Sequence, residues 1–257
     1  MTSPLTTALI RDHVKELNNA RPKQPFFFFK PPTCVLQPGE GPVIRPKGVD
    51  LHYEIELALI IGKKVKDLAP DDEQGALDAI ESESIGHVAA NPHQLPSAPP
   101  PPLFPPHSLT ETKKQGYALS IDMTARNIQN EAKNKGLPWD ISKGFDTFLP
   151  ISRLIPKAKI PDPHRIELWL KVNGETKQED STELLLFRIP RVLSDISRVV
   201  TLEEGDIVIT GTPKGVGPVV PGDVMTAGIR VDGKEIEEAA LEVPVEESTG
   251  AYVFQET

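Results

Sequence analysis

The chain has 257 residues, 38% of them hydrophobic and 25% charged, enough apolar material for one buried core. A formal net charge of −9 repels phosphate backbones and argues against a nucleic-acid partner. The single cysteine, Cys34, excludes an intramolecular disulfide and a zinc–thiolate cluster, and no apolar run approaches the roughly 18 residues of a membrane span. Residues Met1–Ile10 carry no basic side chain, so no secretory or arginine-rich transit signal is read there. The expected setting is soluble and intracellular, in the mitochondrial matrix or the cytoplasm.

In chain order, Leu9, Ile10, Val14 and Leu17 recur at helical spacing, which predicts an amphipathic helix from about Ala8 to Asn19 within an N-terminal segment, 1–25. Phe26 to Phe29 reads as a buried strand, and Pro31 to Gly48 as a loop. Tyr53 to Ile61 reads as one strand, with Ile55, Leu57, Leu59 and Ile61 on one face and Glu54 and Glu56 opening the other. A helix is expected over Asp71–Glu83. The stretch 83–115 holds Pro92, Pro96, Pro99 to Pro102, Pro105 and Pro106, so it is expected to be a disordered insertion that loops out.

Tyr117 to Thr124 predicts a strand, running into a helix from Ala125 to Lys135 that stops at Gly136-Leu137-Pro138. Short strands follow at Ile151–Ile155, Ile166–Val172, Asp206–Thr210, Val224–Ile229 and Ala239–Val245, interrupted by a helix at Ile189–Val199. Many short strands with few helices predict one α+β, mainly β domain over 1–257, built on a rolled mixed β-sheet.

Glu54 and Glu56 are two apart on a strand, so their carboxylates project the same way from backbone positions about 6–7 Å apart. Such a pair repels unless a cation sits between. Asp122 ends an apolar strand where the chain turns into a helix, a place that suits either a third carboxylate in a cleft or a helix N-cap. Three carboxylates with oxygen-only donors suit Mg²⁺ or Mn²⁺. Asp122, Arg126 and Gln129 are spaced i, i+4, i+7, the spacing of one helix face, where the arginine either grips a substrate carboxylate or makes a surface pair with the aspartate. His13 and Glu16, three apart on the first helix, are placed to act as a general-base pair. Lys143 alone reads as a surface lysine. Thr210 to Gly217 reads as an anion-cradling loop or a tight turn, without the spacing of a P-loop.

Taken together, His13-Val-Lys-Glu16, Glu54-Ile-Glu56, Asp122-Met-Thr-Ala-Arg126 and Gly211-Thr-Pro-Lys-Gly-Val-Gly217 resemble the fumarylacetoacetate hydrolase family. The likeness is greatest to its small acylpyruvate hydrolase and oxaloacetate decarboxylase members, and Gly136-Leu-Pro-Trp139, Leu168 to Gly174 and Leu202 to Asp206 support it. The resemblance implies a rolled mixed β-fold, a homodimer, and Mg²⁺ or Mn²⁺ held by Glu54, Glu56 and Asp122. It implies a base dyad of His13 and Glu16 on a lid, with Lys143 and Gln129 holding and polarising substrate or water. Arg126, Lys30 and Thr212 are implied as substrate contacts. The implied reaction is metal-dependent hydrolysis of the C–C bond of acylpyruvates to pyruvate and a carboxylate, or decarboxylation of oxaloacetate. Enol–keto tautomerisation of oxaloacetate and a non-catalytic metal-binding role are the alternatives. Family members carry a strand ahead of the histidine segment. Here Thr7-Ala-Leu-Ile10 stands in that place, and no such strand is expected.

Overall fold

The structure, a computed structural model, describes residues 23–80 and 116–256 in full and residues 4–7 by their backbone. The helix expected at 8–19, with His13 and Glu16, and the proline-rich insertion at 83–115 lie outside the described residues.

The first strands are β1 (Pro4–Thr7), β2 (Phe27–Phe29), β3 (Val35–Leu36), β4 (Val43–Arg45), β5 (Leu51–Tyr53) and β6 (Ile55–Ile60). Helix α1 (Glu73–Ala79) follows, with the Asp72 carboxylate accepting from the Gly75 amide as its cap. Next come β7 (Gly116–Ile121), β8 (Thr124–Ala125), α2 (Arg126–Lys135), α3 (Asp140–Lys143) and β9 (Leu149–Pro150). Helix α2 ends at Gly136, whose φ of 67° is the left-handed conformation glycine adopts without strain. Then β10 (Glu167–Val172), β11 (Glu175–Ser181), α4 (Ile189–Ser197) and β12 (Ile207–Ile209) lead to β13 (Gly217–Pro218), β14 (Val224–Val231), β15 (Lys234–Glu235) and β16 (Leu241–Glu247).

Two sheets carry the core. One has the order β2-β1-β12-β6-β7, and the other β11-β10-β14-β16-β4 with β15 beside β14. Every residue of β6 and β7 is buried, as expected where both faces of a sheet are covered. Leu168 and Leu170 of β10 and Met225, Ala227 and Ile229 of β14 join them in one apolar cluster. Helix α4 adds Ile189, Val192, Leu193 and Ile196, the i, i+3, i+4, i+7 stripe of an amphipathic helix. The mixed, mainly β architecture read from the sequence is the observed one.

Several local expectations are corrected. A strand does precede the histidine segment: β1 pairs parallel with β12 and antiparallel with β2. Its polar threonines hid it, because a backbone ladder does not require an apolar side-chain pattern. Phe26–Phe29 is not buried: β2 is an edge strand, and Phe26 and Phe29 are exposed by 38% and 42%. The single strand expected at 53–61 is broken at Glu54, with β5 in a three-stranded sheet, β13-β5-β8, and β6 in the five-stranded one. Strand β11 escaped notice because its sequence, ETKQEDS, has no apolar alternation to read. In place of a strand at 151–155 there is β9 and isolated bridges at Ile151 and Ile155.

Candidate active site

The break between β5 and β6 builds the site. There the carbonyl of Glu54 accepts the Asp122 amide at 2.7 Å, which ties the end of β7 to the start of β6. Glu56, two residues on, lies opposite Ser120 in the β6–β7 register. As a result, one carboxylate oxygen from each of Glu54, Glu56 and Asp122 lies within 4.8 Å of the others. All three residues are buried.

Three buried cations surround them. Lys143 Nζ donates to Glu54 Oε2 at 2.8 Å and to Asp122 Oδ2 at 2.5 Å. Lys30 Nζ donates to Asp122 Oδ1 at 2.8 Å and to the Lys143 carbonyl. Arg126 donates through one terminal nitrogen to Glu54 and through the other to Gln129 Oε1 at 2.5 Å. Lys143 is therefore no surface lysine: it is 2% exposed at the end of α3. Asp122 is not the cap of α2 either, since Ala125 holds that position. The expected helical face of Asp122, Arg126 and Gln129 holds only for the last two, because α2 begins at Arg126. Asp122 reaches the cluster from the strand end and pairs with the two lysines instead.

Glu56 has a different partner. Its Oε2 accepts the Gly211 amide at 2.5 Å, so the glycine loop cradles a carboxylate of the protein itself. Burial pushes the Glu56 carboxyl well above the usual range, and the neighbouring Asp122 and Glu54 charges add to the rise against Lys143 and the Gly211 amide. Burial acts to lower the Lys143 pKa, but Asp122 and Glu54 together outweigh it and hold the ammonium charged. Thr212, one residue after the cradle, accepts from Gln178 Nε2 at 2.9 Å.

Four further residues, unmarked in the sequence as parts of the site, contribute to it. Gln178, on β11, is buried, accepts the Ile55 amide at 2.9 Å and donates to Thr212 and the Pro213 carbonyl, so it clamps the glycine loop to the start of β6. No signal marks it in an all-polar strand. His52 donates from Nε2 to Asp50 Oδ2 at 3.2 Å, and burial followed by the Arg126 charge lowers its pKa. Its Nδ1 and the Arg126 Nε are both buried without a hydrogen-bond partner among the described residues. The Phe28 ring lies 5.3 Å from Lys143 Nζ, and Trp139 packs against Phe28. Aromatic periodicity is too short in β2 to reveal which ring faces the site.

The donor set fits a hard divalent cation. Three carboxylates converge, all donors are oxygen, and Glu56 is the one acid of the three with no ion pair recorded among the described residues.

The fumarylacetoacetate hydrolase C-terminal family matches residues 7–86 and 115–244, leaving out most of the proline-rich stretch. With the acid cluster and the mixed sheets in place, the chain belongs to the fumarylacetoacetate hydrolase family. It is 45% identical over 215 residues to the mitochondrial oxaloacetate tautomerase oaa1 of Schizosaccharomyces pombe, covering 84% of this chain and 82% of that protein. It is 41% identical to the mitochondrial oxaloacetate decarboxylase of Dictyostelium discoideum, over 84% and 83% of the two. Among solved structures, fumarylpyruvate hydrolase from Pseudomonas aeruginosa in complex with Mn²⁺ and pyruvate superposes with a TM-score of 0.73 at 27% identity, over 96% of this chain and 91% of that one.

Proposed function

We propose that this protein is a divalent-metal-dependent enzyme of small 2-oxo acids that interconverts the enol and keto forms of oxaloacetate. The observation that carries the reading is the buried triad of Glu54, Glu56 and Asp122 wired to Lys30, Lys143 and Arg126. The three carboxylates would hold Mg²⁺ or Mn²⁺, which when bound supplies charge stabilisation at the carboxylate and keto oxygens of a 2-oxo acid.

The chain's own groups do the rest. Lys143 and Lys30 hold Asp122 and Glu54 in place by hydrogen bonds, and their ammonium groups favour the negative charge of an enolate. Arg126, braced by Gln129, offers a guanidinium for a substrate carboxylate. Gln129 and Lys143 hold the substrate or an attacking water, and Thr212 contacts the substrate from the glycine loop. His13 and Glu16 move the proton. The two ends of their segment are held together, since Thr7 lies opposite Phe27, three residues before Lys30.

C–C hydrolysis of acylpyruvates, with decarboxylation of oxaloacetate, is the second reading. The likeness to a fumarylpyruvate hydrolase favours it, and the same enolate chemistry serves both. The whole of 1–257 acts as one catalytic domain, the chain pairs as a homodimer through exposed apolar residues such as Leu137 and Ile141, and it resides in mitochondria, a location that the likeness to mitochondrial relatives supports.

The test follows the decay of the enol of oxaloacetate, and pyruvate release from oxaloacetate and acetylpyruvate, with Mg²⁺ and with EDTA. Metal-dependent enol decay without pyruvate release is expected. Pyruvate release as the faster reaction would replace the first reading by the second. No reaction with any of these substrates would leave a metal-binding scaffold.

A further inference from the structure

Helix α2 carries Arg126, Gln129 and Lys133 on one stripe, at i, i+3 and i+7. The first two are buried in the carboxylate cluster, whereas Lys133, in the last turn, is exposed. Seven residues of helix carry the stripe about 10 Å from the cluster toward the surface. Lys133 Nζ lies over the Trp139 ring, 5.3 Å from its centroid. Trp139 packs edge-on against Phe26 and tilted against Phe28, with centroids 5.3 and 5.8 Å apart. Because Phe28 also faces Lys143, an aromatic wall runs from the buried lysine to the exposed one.

Lys133 is thus an oriented cation at the outer end of the site. Partial burial, then the Arg126 charge, lowers its pKa, with Lys143 adding to the effect and Glu54 opposing it. No carboxylate among the described residues pairs with it, whereas its neighbour Lys135 pairs with Glu131 at 2.8 Å. An ammonium near other cations and without an acid partner favours an anionic ligand group.

We propose that Lys133, held on Trp139, receives a second carboxylate of the substrate and makes the site selective for 2-oxo diacids over 2-oxo monoacids. The proposal rests on the oxaloacetate reading above and assigns the residue that recognises the second carboxylate of such a diacid. A basic residue in the last turn also suits the helix dipole, but that role would move stability rather than substrate preference.

The test is equilibrium binding to the Mn²⁺-loaded protein, followed by tryptophan fluorescence. The probes are 2-oxoglutarate and 2-oxopentanoate, which differ in a terminal carboxylate against a methyl group. Wild type should bind the diacid about tenfold more tightly. Lys133→Gln, which keeps the stem against Trp139, should erase that preference, and Lys133→Arg should restore most of it. The fluorescence change with the diacid should vanish in Trp139→Phe. Equal affinities in wild type, or a preference that survives Lys133→Gln, would overturn the proposal. If neither probe binds, the 2-oxo acid reading itself falls and this one with it. If both bind equally, only the subsite falls.

Discussion

The amide of Asp122 donates to the carbonyl of Glu54 at 2.7 Å, so two of the three acids are tied through the backbone before any side chain is placed. That bond sits where the strand breaks between β5 and β6, and the two side chains share Lys143. Side-chain mutations in the cluster should therefore change charge without moving the ligands apart.

Glu56 is the acid held by a backbone amide and, among the described residues, without a cation partner. Glu56→Gln keeps its shape and the Gly211 contact and removes the charge. Mg²⁺ at about 100 times its dissociation constant should stabilise wild type by about 2.7 kcal/mol. Glu56→Gln should lose most of that shift in a thermal melt, with little change in the metal-free melt. An undiminished shift would remove Glu56 from the ligand set.

Lys143 lies between two buried carboxylates. Lys143→Met leaves Asp122 and Glu54 without it, and removing one partner of a buried pair costs about 3–5 kcal/mol. The metal-free variant should therefore melt well below wild type. Mg²⁺ should narrow the gap, because a second cation replaces the lost charge. Chemical denaturation with and without Mg²⁺ measures both, and equal stability losses in the two conditions would show that the lysine and the metal do not share these acids.

Gly215 has a φ of 92°, and a Cβ there would stand 2.1 Å from the Lys177 carbonyl on β11. Gly215→Ala should displace the loop that cradles Glu56 and disturb the Gln178 clamp beside it. The expected result is weaker Mn²⁺ binding together with a lower melting temperature. Gly233→Ala, with a similar left-handed φ of 73° but open space around it, should lower the melting temperature and leave Mn²⁺ binding intact.

His164 Nε2 accepts the Ile189 amide at 3.0 Å, so its ring caps the start of α4 in its neutral form. Burial, then the Arg188 charge, lowers its pKa from the ordinary 6.5, against Asp162 and Glu73. With the folded pKa depressed, the folded state holds fewer protons than the unfolded one. Its contribution is fully present above pH 6.5 and is lost as the pH falls from there toward the lowered value. Urea melts of wild type and His164→Gln across that window should converge at low pH; a constant difference would contradict the neutral cap.

The sequence made the acids legible because Glu54 and Glu56 interrupt an apolar strand and Asp122 ends another, and buried charge is costly enough to need a reason. Helical spacing singled out Arg126 and Gln129 and the glycine loop contained Thr212, whereas Lys30 was named only through the family resemblance, and their meeting at one point depends on contacts between residues 72 to 92 apart, such as Arg126 to Glu54 and Lys30 to Asp122. Gln178 went unseen because a polar residue in a polar strand carries no periodic signal, and His52 because a single histidine between Leu51 and Tyr53 does not show its partners. Strands β1 and β11 were invisible for the same reason: their hydrogen-bonded ladders use the backbone, and their side chains do not alternate.

The most direct test of the central claim is calorimetric titration of Mn²⁺ into wild type, Glu54→Gln, Glu56→Gln and Asp122→Asn, each with and without oxalate. The account predicts one Mn²⁺ site per chain in wild type, tightened by oxalate, and at least tenfold weaker binding in each variant. Mn²⁺ affinity unchanged in the three variants, or indifferent to oxalate in wild type, would contradict it.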